Sequence, residues 1–210
     1  MKLYIGNKNY SSWSLRAWLC LRLAGIDETD VEIVRVPLYV EGYKEKLLEH
    51  SPGGRVPALI VNEKDSSFPV WDSMAIMEFI LEEHPANAVG WPSNSNKAAR
   101  ATARSISAEF HSGFLGIRDE LPQNLKVRRQ LSHANLSDSC HAQIDRVNDI
   151  WTTCLSTHGG PWLFGTDLTI ADLFYIPVAL RFLSYGMEGK LSEQAKKYLK
   201  NIKKTDLIYL

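Results

Sequence analysis

This 210-residue chain has few cysteines, no excess of positive or negative charge and no long apolar run. Its three cysteines are scattered and form no Cys-x-x-Cys pair, which excludes a disulfide framework. The 24 Lys and Arg side chains balance 24 Asp and Glu side chains, so no bulk charge favours nucleic acid or an anionic membrane. No apolar run is long enough to span a bilayer, and the strand pattern that follows Met1 leaves no room for a signal peptide. We therefore expect a cytoplasmic protein without nucleic-acid or membrane partners.

The first 84 residues alternate between strand and helix patterns. Strands are typically short and β-branched, helices are longer with apolar residues on one face, and Gly25 and the run SPGG (51–54) mark breaks between them. The predicted strands are 2–5, 31–36, 58–61 and 68–71, and the predicted helices are 14–24, 42–50 and 73–84. The order is βαβαββα, in which a helix joins the first two strands as a parallel pair.

The strand patterns stop after residue 84. The stretch HPANAVGWPSNSN (84–96) is rich in Pro, Gly, Ser and Asn and is typical of a linker. Beyond it we predict helices over 97–119, 137–156, 169–185 and 192–203. The sequence thus predicts an α/β domain over 1–84, a linker over 85–96 and an all-helical domain over 97–210.

A cluster of serines stands just before the first helix, in NYSSWSLRAW (9–18). A helix N-terminus has unpaired N–H groups and a partial positive charge, so hydroxyls of Ser11 and Ser12 placed there would stabilise a bound thiolate and lower its pKa. On this stretch alone, capping of the helix by Ser12 or Ser14 is the commoner explanation.

Two further motifs point to a ligand site. In GGRVPAL (53–59) a cis bond before Pro57 would leave the backbone of Val56 free to pair with an extended ligand, although a trans turn is commoner. In WDSMAI (71–76) Ser73 at a helix start would favour a carboxylate and Asp72 an ammonium group, unless both merely cap the helix.

Four motifs in this order resemble the cytosolic glutathione transferases: SSWSLRAW (11–18), GGRVPAL, DSMAI (72–76) and LTIADL (168–173). The serine motif is closest to the zeta-like, or maleylacetoacetate isomerase-like, bacterial members. This resemblance covers essentially the whole chain. It implies a thioredoxin-like first domain with a cis proline, an all-helical second domain and a homodimer.

The resemblance also implies roles for individual residues. Ser11 would donate a hydrogen bond to the glutathione sulfur with Ser12 close by, and Tyr10 is the second choice for this donor. The backbone of Val56 would pair with the tripeptide, and Asp72 and Ser73 would hold its γ-glutamyl group. The complete predicted glutathione site is Arg55, Val56, Pro57, Asp72, Ser73 and Lys44, where Lys44 would reach the glycine carboxylate.

The second substrate is expected to meet the first helix of the helical domain. On a continuous helix, His111, Phe114, Leu115 and Arg118 would form one mixed stripe, which suits an apolar electrophile carrying a carboxylate. An ordinary domain-interface face explains the same stripe equally well. With Tyr10 and Trp13, these four residues make up the predicted second-substrate pocket.

We therefore predict an enzyme that binds glutathione as a cosubstrate, uses no metal and transfers the thiolate to a small electrophile, with a role in detoxification. Two alternatives stay open. A glutathione-dependent cis–trans isomerase would need cations for a diacid, for which Arg118 and Arg181 are candidates, although Trp13 stands where the zeta-like motif usually carries cysteine. A non-catalytic binding domain would have kept only the fold. The capping box Thr169–Asp172 is predicted to be a folding element.

Overall fold

The computed structural model describes residues 1–84, 90–131 and 135–206. The chain divides into two compact units, Met1–Gly90 and Trp91–Leu210. Of the predicted linker 85–96, residues 85–89 lie outside the described residues, and the boundaries at 84 and 97 stay a prediction. Among the helices of the described ranges, none is both long and apolar enough to cross a membrane.

The first unit follows the predicted order βαβαββα. Its elements are β1 (Lys2–Ile5), α1 (Ser12–Leu23), β2 (Glu32–Arg35), α2 (Tyr43–Leu48), β3 (Ala58–Asn62), β4 (Ser67–Trp71) and α3 (Ser73–Glu83). The sheet order is β2-β1-β3-β4, with β1 parallel to β2 and every other pair antiparallel.

Side chains alternate between the two faces of the sheet along β1, and the buried ones show where the core of the first unit lies. Leu3 and Ile5 are completely buried, whereas Tyr4 on the opposite face stacks on His50 beyond α2 with ring centroids 4.4 Å apart. Helices α1 and α3 pack against each other. The predicted stop of α1 is confirmed: Gly25 has φ +69°, and the N–H groups of Gly25 and Ile26 donate to the carbonyls of Arg22 and Leu21.

The second unit contains only helices among its described residues. They are α4 (Lys97–Ser112), α5 (Leu115–Glu120), α6 (Asp138–His158), α7 (Ile170–Tyr185), a short 3-10 helix (Met187–Lys190) and α8 (Glu193–Lys204). Helix α4 packs on α7, and α6 packs on α8 and on α5. The largest buried side chains are aromatic and line one core: Phe110, Trp151, Phe174, Tyr175, Phe182 and Tyr198.

The predicted helix over 97–119 is wrong, because the chain breaks between α4 and α5. Gly113 caps α4 through an N–H bond to the Glu109 carbonyl, and Phe114 adopts a left-handed conformation with φ +62°. Two sets of contacts stabilise the chain at this break. The Phe114 and Phe110 rings pack with centroids 4.8 Å apart, and Arg118 donates to the carbonyls of Phe110 and Gly113 at 2.6 and 3.1 Å. The break therefore satisfies the last carbonyls of α4 with a side chain.

The predicted capping box at the start of α7 is confirmed and is larger than the motif indicates. Asp172 is completely buried and accepts four hydrogen bonds, from the N–H and O–H of Thr169, the N–H of Leu163 and the hydroxyl of Tyr198. Burial raises the pKa of Asp172, and the hydrogen bonds oppose that rise. The carboxylate thus joins the start of α7 to α8 and to the preceding loop.

Replacing Asp172 by Ala should lower the free energy of unfolding by about 3–5 kcal/mol, because several buried donors lose their acceptor. The matched control is Asn96→Ala, an exposed N-cap whose side chain accepts one bond from Ala99, with an expected loss of about 1 kcal/mol. Urea unfolding of both variants measures the difference. Equal losses would show that Asp172 is only a helix cap.

Candidate functional site

Three of the predicted site segments lie at one end of the sheet. In the register, Tyr4 of β1 pairs with Ala58 of β3, and Ala58 pairs with Trp71 of β4. The loop that leaves β1, the segment that enters β3 and the start of α3 after β4 therefore share this end. The fold thus brings the serine cluster, the Val56–Pro57 segment and the Asp72–Ser73 pair to the same edge.

The helix-start serines form a connected set of hydrogen bonds. Ser11 is the N-cap of α1: its Oγ accepts the N–H of Ser14 at 3.3 Å and donates to Ser14 Oγ at 2.9 Å. Ser14 Oγ also accepts the N–H of Gly6 at 3.0 Å. The helix begins two residues earlier than predicted, and the cap is Ser11 rather than Ser12 or Ser14. No acidic residue lies in the first turn of α1.

The Val56–Pro57 peptide bond is cis, as the resemblance implies. Val56 is half-buried and Pro57 is buried. The end of β1 lies against this segment, since a Cβ added to Gly6 would lie 3.5 Å from Val56 Cγ2 and only 2.8 Å from Leu38 Cδ1. A Cβ at position 6 would therefore displace the end of the Leu38 side chain, and Val56 lies beside the strand end that leads to Ser11.

The turn before Val56 is fixed by Ser51, which is completely buried. Its hydroxyl donates to the carbonyl of Arg55 at 2.9 Å and accepts the N–H of the same residue at 3.4 Å. The Arg55 side chain is exposed. Lys44 on α2 is also exposed, and its Cε lies 3.9 Å from the position that a Cβ on Gly54 would take. Two cations thus flank this turn.

The start of α3 presents a carboxylate and a buried hydroxyl. Asp72 is the N-cap, has φ +77° and accepts the N–H of Met74 through Oδ1 at 2.8 Å. Ser73 is 1% exposed, and its Oγ has no hydrogen-bond partner among the described residues. A buried hydroxyl without a partner costs free energy unless a ligand supplies one, so Ser73 fits a ligand carboxylate.

The other predicted residues of the first unit differ in exposure. Tyr10 is 63% exposed and Ser12 only 3%. Trp13 is half-buried, and the guanidinium carbon of Arg16 lies 4.7 Å from its ring centroid. Tyr10 is thus accessible to a ligand, whereas Ser12 is largely enclosed by the protein. This difference favours Ser11, which is half-buried, over Ser12 as the donor.

The predicted stripe in the second unit does not lie on one helix, because the break at Gly113 divides it. His111 ends α4 and lies 5.8 Å from the Phe174 ring, Phe114 is 8% exposed within the core, and Leu115 is 65% exposed on α5. The stripe is divided because a residue in the left-handed conformation changes the direction of the chain and ends the 3.6-residue periodicity. Membership of these residues in a second-substrate pocket stays a prediction.

The two arginines considered for an anionic substrate are both buried to a large extent. Arg118 is half-buried and stacks on Phe110, 4.8 Å from the ring centroid, while donating to the end of α4. Arg181 is 5% exposed. Burial, and secondly the charge of Arg118, lower the pKa of Arg181 to about 10, so it stays protonated at neutral pH. Arg118 thus has a structural role at the helix break.

Three residues that support the site were not predicted to do so. Ser14 hydrogen-bonds Ser11 and also Gly6 at the end of β1. Gly6 leaves space for the side chains of Leu38 and Val56, and Ser51 hydrogen-bonds Arg55 across its turn. The Ser-x-x-Ser spacing of positions 11 and 14 is a signal for the first of these, because it is the N-cap to N3 spacing of a capping box. The Gly6 contacts join distant segments and have no local signal, whereas the Ser51 bonds span only four residues within the turn SPGGR.

Within residues 1–84, 90–131 and 135–206, no group of three or more His, Cys, Asp or Glu side chains could hold a metal ion.

Comparisons with known proteins place the chain in a family. Residues 10–83 match the model of the glutathione S-transferase N-terminal domain, and residues 102–200 match that of the C-terminal domain. A probable maleylacetoacetate isomerase from Caenorhabditis elegans is 31% identical over 179 residues, which are 84% of this chain and 76% of that protein. A glutathione S-transferase from Arabidopsis thaliana is 28% identical over 192 residues, 84% of this chain and 79% of that protein.

Solved structures agree on the fold. A glutathione transferase homologue from Burkholderia with bound glutathione has a TM-score of 0.69 at 20% identity and covers 99% of this chain and 93% of its own. A bacterial zeta-class maleyl pyruvate isomerase has a TM-score of 0.66 at 20% identity, with 99% and 94% covered. The chain belongs to the glutathione S-transferase family. The predicted family, fold and general class of enzyme are confirmed.

The three cysteines should resist alkylation in the native protein. All are buried, and burial raises the pKa of Cys140 and Cys154 to about 11 and that of Cys20 further. At pH 7 the thiolate fraction of a group with such a pKa is about 1 in 10⁴. Mass spectrometry after iodoacetamide treatment should find no adduct at pH 7 and three adducts after denaturation. Rapid native modification with loss of activity would instead indicate a reactive thiol.

Proposed function

We propose that this protein binds reduced glutathione in its first unit and transfers the thiolate to a small electrophile. The observation that carries the proposal is the presence of two helix N-termini with serine hydroxyls, Ser11 at α1 and Ser73 at α3, at the same end of the sheet. Neither helix has an acidic residue in its first turn. The start of α1 therefore favours a negative group such as a thiolate. At the start of α3 the Asp72 carboxylate already accepts one N–H, and the buried Ser73 hydroxyl beside it is the donor available to a carboxylate.

Ser11 is the proposed donor to the sulfur. Its hydroxyl now donates to Ser14, and turning that O–H toward a sulfur leaves Ser14 Oγ with the N–H of Gly6. Meanwhile Ser11 Oγ can continue to accept the N–H of Ser14, because a hydroxyl oxygen has two acceptor positions and one proton. Donation to the charged sulfur and the adjacent helix terminus both lower the pKa of a bound thiol.

The remaining glutathione-binding residues would hold the tripeptide by its charged ends. The buried Ser73 hydroxyl would donate to the γ-glutamyl carboxylate, and the Asp72 carboxylate would attract the ammonium group. The backbone of Val56 would pair with the peptide, and Lys44 and Arg55 would attract the glycine carboxylate across the turn. These contacts would orient the sulfur toward Ser11.

In the reaction, the thiol proton leaves to solvent and the sulfur forms a bond with an electrophilic carbon. A leaving group departs with its electron pair, or the product takes up a proton where the substrate is an activated alkene. The protein activates the nucleophile and does not become one, which agrees with the burial of all three of its thiols. Tyr10 and Trp13, which lie next to Ser11 in the chain, are proposed to contact the electrophile.

Glutathione-dependent isomerisation is the second candidate. It is supported by the relative that is 31% identical, a probable maleylacetoacetate isomerase. Such a reaction would use the same thiolate but would regenerate glutathione, so product analysis separates the two. We also propose a cytoplasmic homodimer with a role in detoxification, in line with the family.

Replacing Ser11 by Ala should lower kcat by about 10- to 100-fold and raise the pKa of the bound thiol by about one to two units, because a charge-assisted hydrogen bond is lost. Turnover of 1-chloro-2,4-dinitrobenzene and ultraviolet titration of thiolate in the complex measure both effects. A variant with unchanged kcat and thiol pKa would remove Ser11 from the mechanism.

The control for Ser11→Ala is again Asn96→Ala, since both variants lose an N-cap bond of comparable stability. Only Ser11→Ala should change the thiol pKa. If the wild-type protein itself neither binds immobilised glutathione nor lowers the thiol pKa, the chain is a binding domain that kept the fold without the activity.

Replacing Ser73 by Ala should raise the KM for glutathione by about tenfold with little change in kcat, because it removes one charge-assisted bond remote from the sulfur. Initial rates at varied glutathione concentration measure this split. Since the wild-type hydroxyl has no hydrogen-bond partner among the residues that the structure describes, Ser73→Ala should also leave the unliganded protein as stable or more stable. An unchanged KM would exclude the proposed carboxylate contact.

A further inference from the structure

The hydroxyl of Ser14, in the first turn of α1, lies beside the cap residue Ser11 and is completely buried. Its Oγ accepts the N–H of Gly6 at 3.0 Å and the hydroxyl of Ser11 at 2.9 Å. Neither bond uses the proton of Ser14, and among the residues that the structure describes this proton has no acceptor. A buried hydroxyl proton therefore lies next to the proposed sulfur donor without a hydrogen bond of its own.

This proton gains an acceptor when Ser11 turns its own proton toward a bound sulfur. The bond from the Ser11 hydroxyl to Ser14 is then broken, while the cap bond from the Ser14 N–H still holds Ser11 Oγ in place. A hydroxyl group can donate one hydrogen bond while its oxygen accepts others. Ser14 can thus donate to Ser11 Oγ and continue to accept the N–H of Gly6.

We infer that binding of a thiolate reverses the hydrogen bond between the two serines, so that Ser14 donates to Ser11 while Ser11 donates to the sulfur. The inference rests on the proposed function, because it requires a thiolate at Ser11. Each serine keeps its own proton, and only the directions of the bonds change. The two hydroxyls stay joined before and after, so turning the Ser11 proton to the sulfur costs no buried hydrogen bond.

The reversed bond also makes Ser11 a stronger donor. Hydrogen bonds in a chain polarise one another, and each bond strengthens the next by about 10–30%. The chain would run from the N–H of Gly6, just beyond β1, through Ser14 and Ser11 to the sulfur. Ser14 is therefore a positioning residue, which acts on the sulfur only through Ser11.

A Ser14 hydroxyl that could only accept would have the opposite effect on the bound thiol. It would compete with the sulfur for the proton of Ser11, so its removal would lower the pKa of the bound thiol. A Ser14 hydroxyl that donates to Ser11 stabilises the thiolate, so its removal raises that pKa. The sign of the shift therefore separates the two roles.

Replacing Ser14 by Ala in the full chain tests the inference, with ultraviolet titration of the thiolate in saturating glutathione. The pKa of the bound thiol should rise by about half a unit, a change of about threefold in its proton affinity. The matched control is Ser184→Ala, which removes another buried hydroxyl, one that donates to the carbonyl of Asn124 in the second unit. Both variants should lose stability in urea, and only Ser14→Ala should shift the thiol pKa.

The double variant Ser11→Ala/Ser14→Ala shows whether Ser14 acts through Ser11. Its thiol pKa should equal that of Ser11→Ala alone, because the chain of hydrogen bonds has already lost its last donor. If the two single shifts add, Ser14 acts through the fold of the helix start and the inference is wrong. A lowered or unchanged thiol pKa in Ser14→Ala, with a raised one in Ser11→Ala, overturns the inference and leaves the proposed function standing. An unchanged thiol pKa in Ser11→Ala overturns both.

A second variant covers the case in which Ser14→Ala does not fold, since the N–H of Gly6 then loses its acceptor. Ser14→Cys is close to serine in size, and its thiol is a weaker donor than a hydroxyl. The pH profile of kcat with 1-chloro-2,4-dinitrobenzene should show a smaller rise in the same direction, with circular dichroism confirming the fold. A profile that is unchanged or moves to lower pH in folded Ser14→Cys contradicts the inference.

Discussion

The proposed chemistry depends on the hydrogen-bonded serines at the start of α1. Ser14 accepts both the Gly6 N–H and the Ser11 hydroxyl, so the end of β1 and the first turn of the helix are fixed to each other. Capping and catalysis are often treated as alternative explanations of a helix-start serine. In Ser11 the two roles use different parts of one hydroxyl group. The cap requires a lone pair of the oxygen, and a bound thiolate would require the proton. The cap would thus orient the hydroxyl that the proposed reaction needs.

Much of the first unit could be predicted because its signals are local. Strand and helix periodicity, the Gly25 stop and the motifs around Pro57 and Ser73 all lie within short windows of sequence. The start of α1 was misplaced by two residues for a physical reason: three serines in four positions are all competent caps. The choice of Ser11 is coupled to the Ser14–Gly6 bond, which joins residues eight positions apart.

The break between α4 and α5 could not be predicted from the same kind of signal. A single glycine at position 113 is tolerated within helices, and the apolar pattern continues past it. What stabilises the break is a set of contacts made only in the folded unit, in which Phe114 packs on Phe110 and Arg118 reaches back to two carbonyls of α4. The wrong prediction concerned the path of the helix, and the predicted pocket membership of Phe114 and Arg118 is not decided by it.

The charge balance of the chain bears on how the site selects its ligand. With equal numbers of acids and bases, no overall field gathers anions, and the selectivity has to be local. In the proposed site the start of α1 would supply it as partial charge on fixed N–H groups, which need no side chain to be desolvated or reorganised when the ligand arrives. Ser11 and Ser73 add single protons at defined points. A thiol whose pKa such groups lower would be activated on the ligand, whereas burial raises the pKa of each of the protein's own thiols.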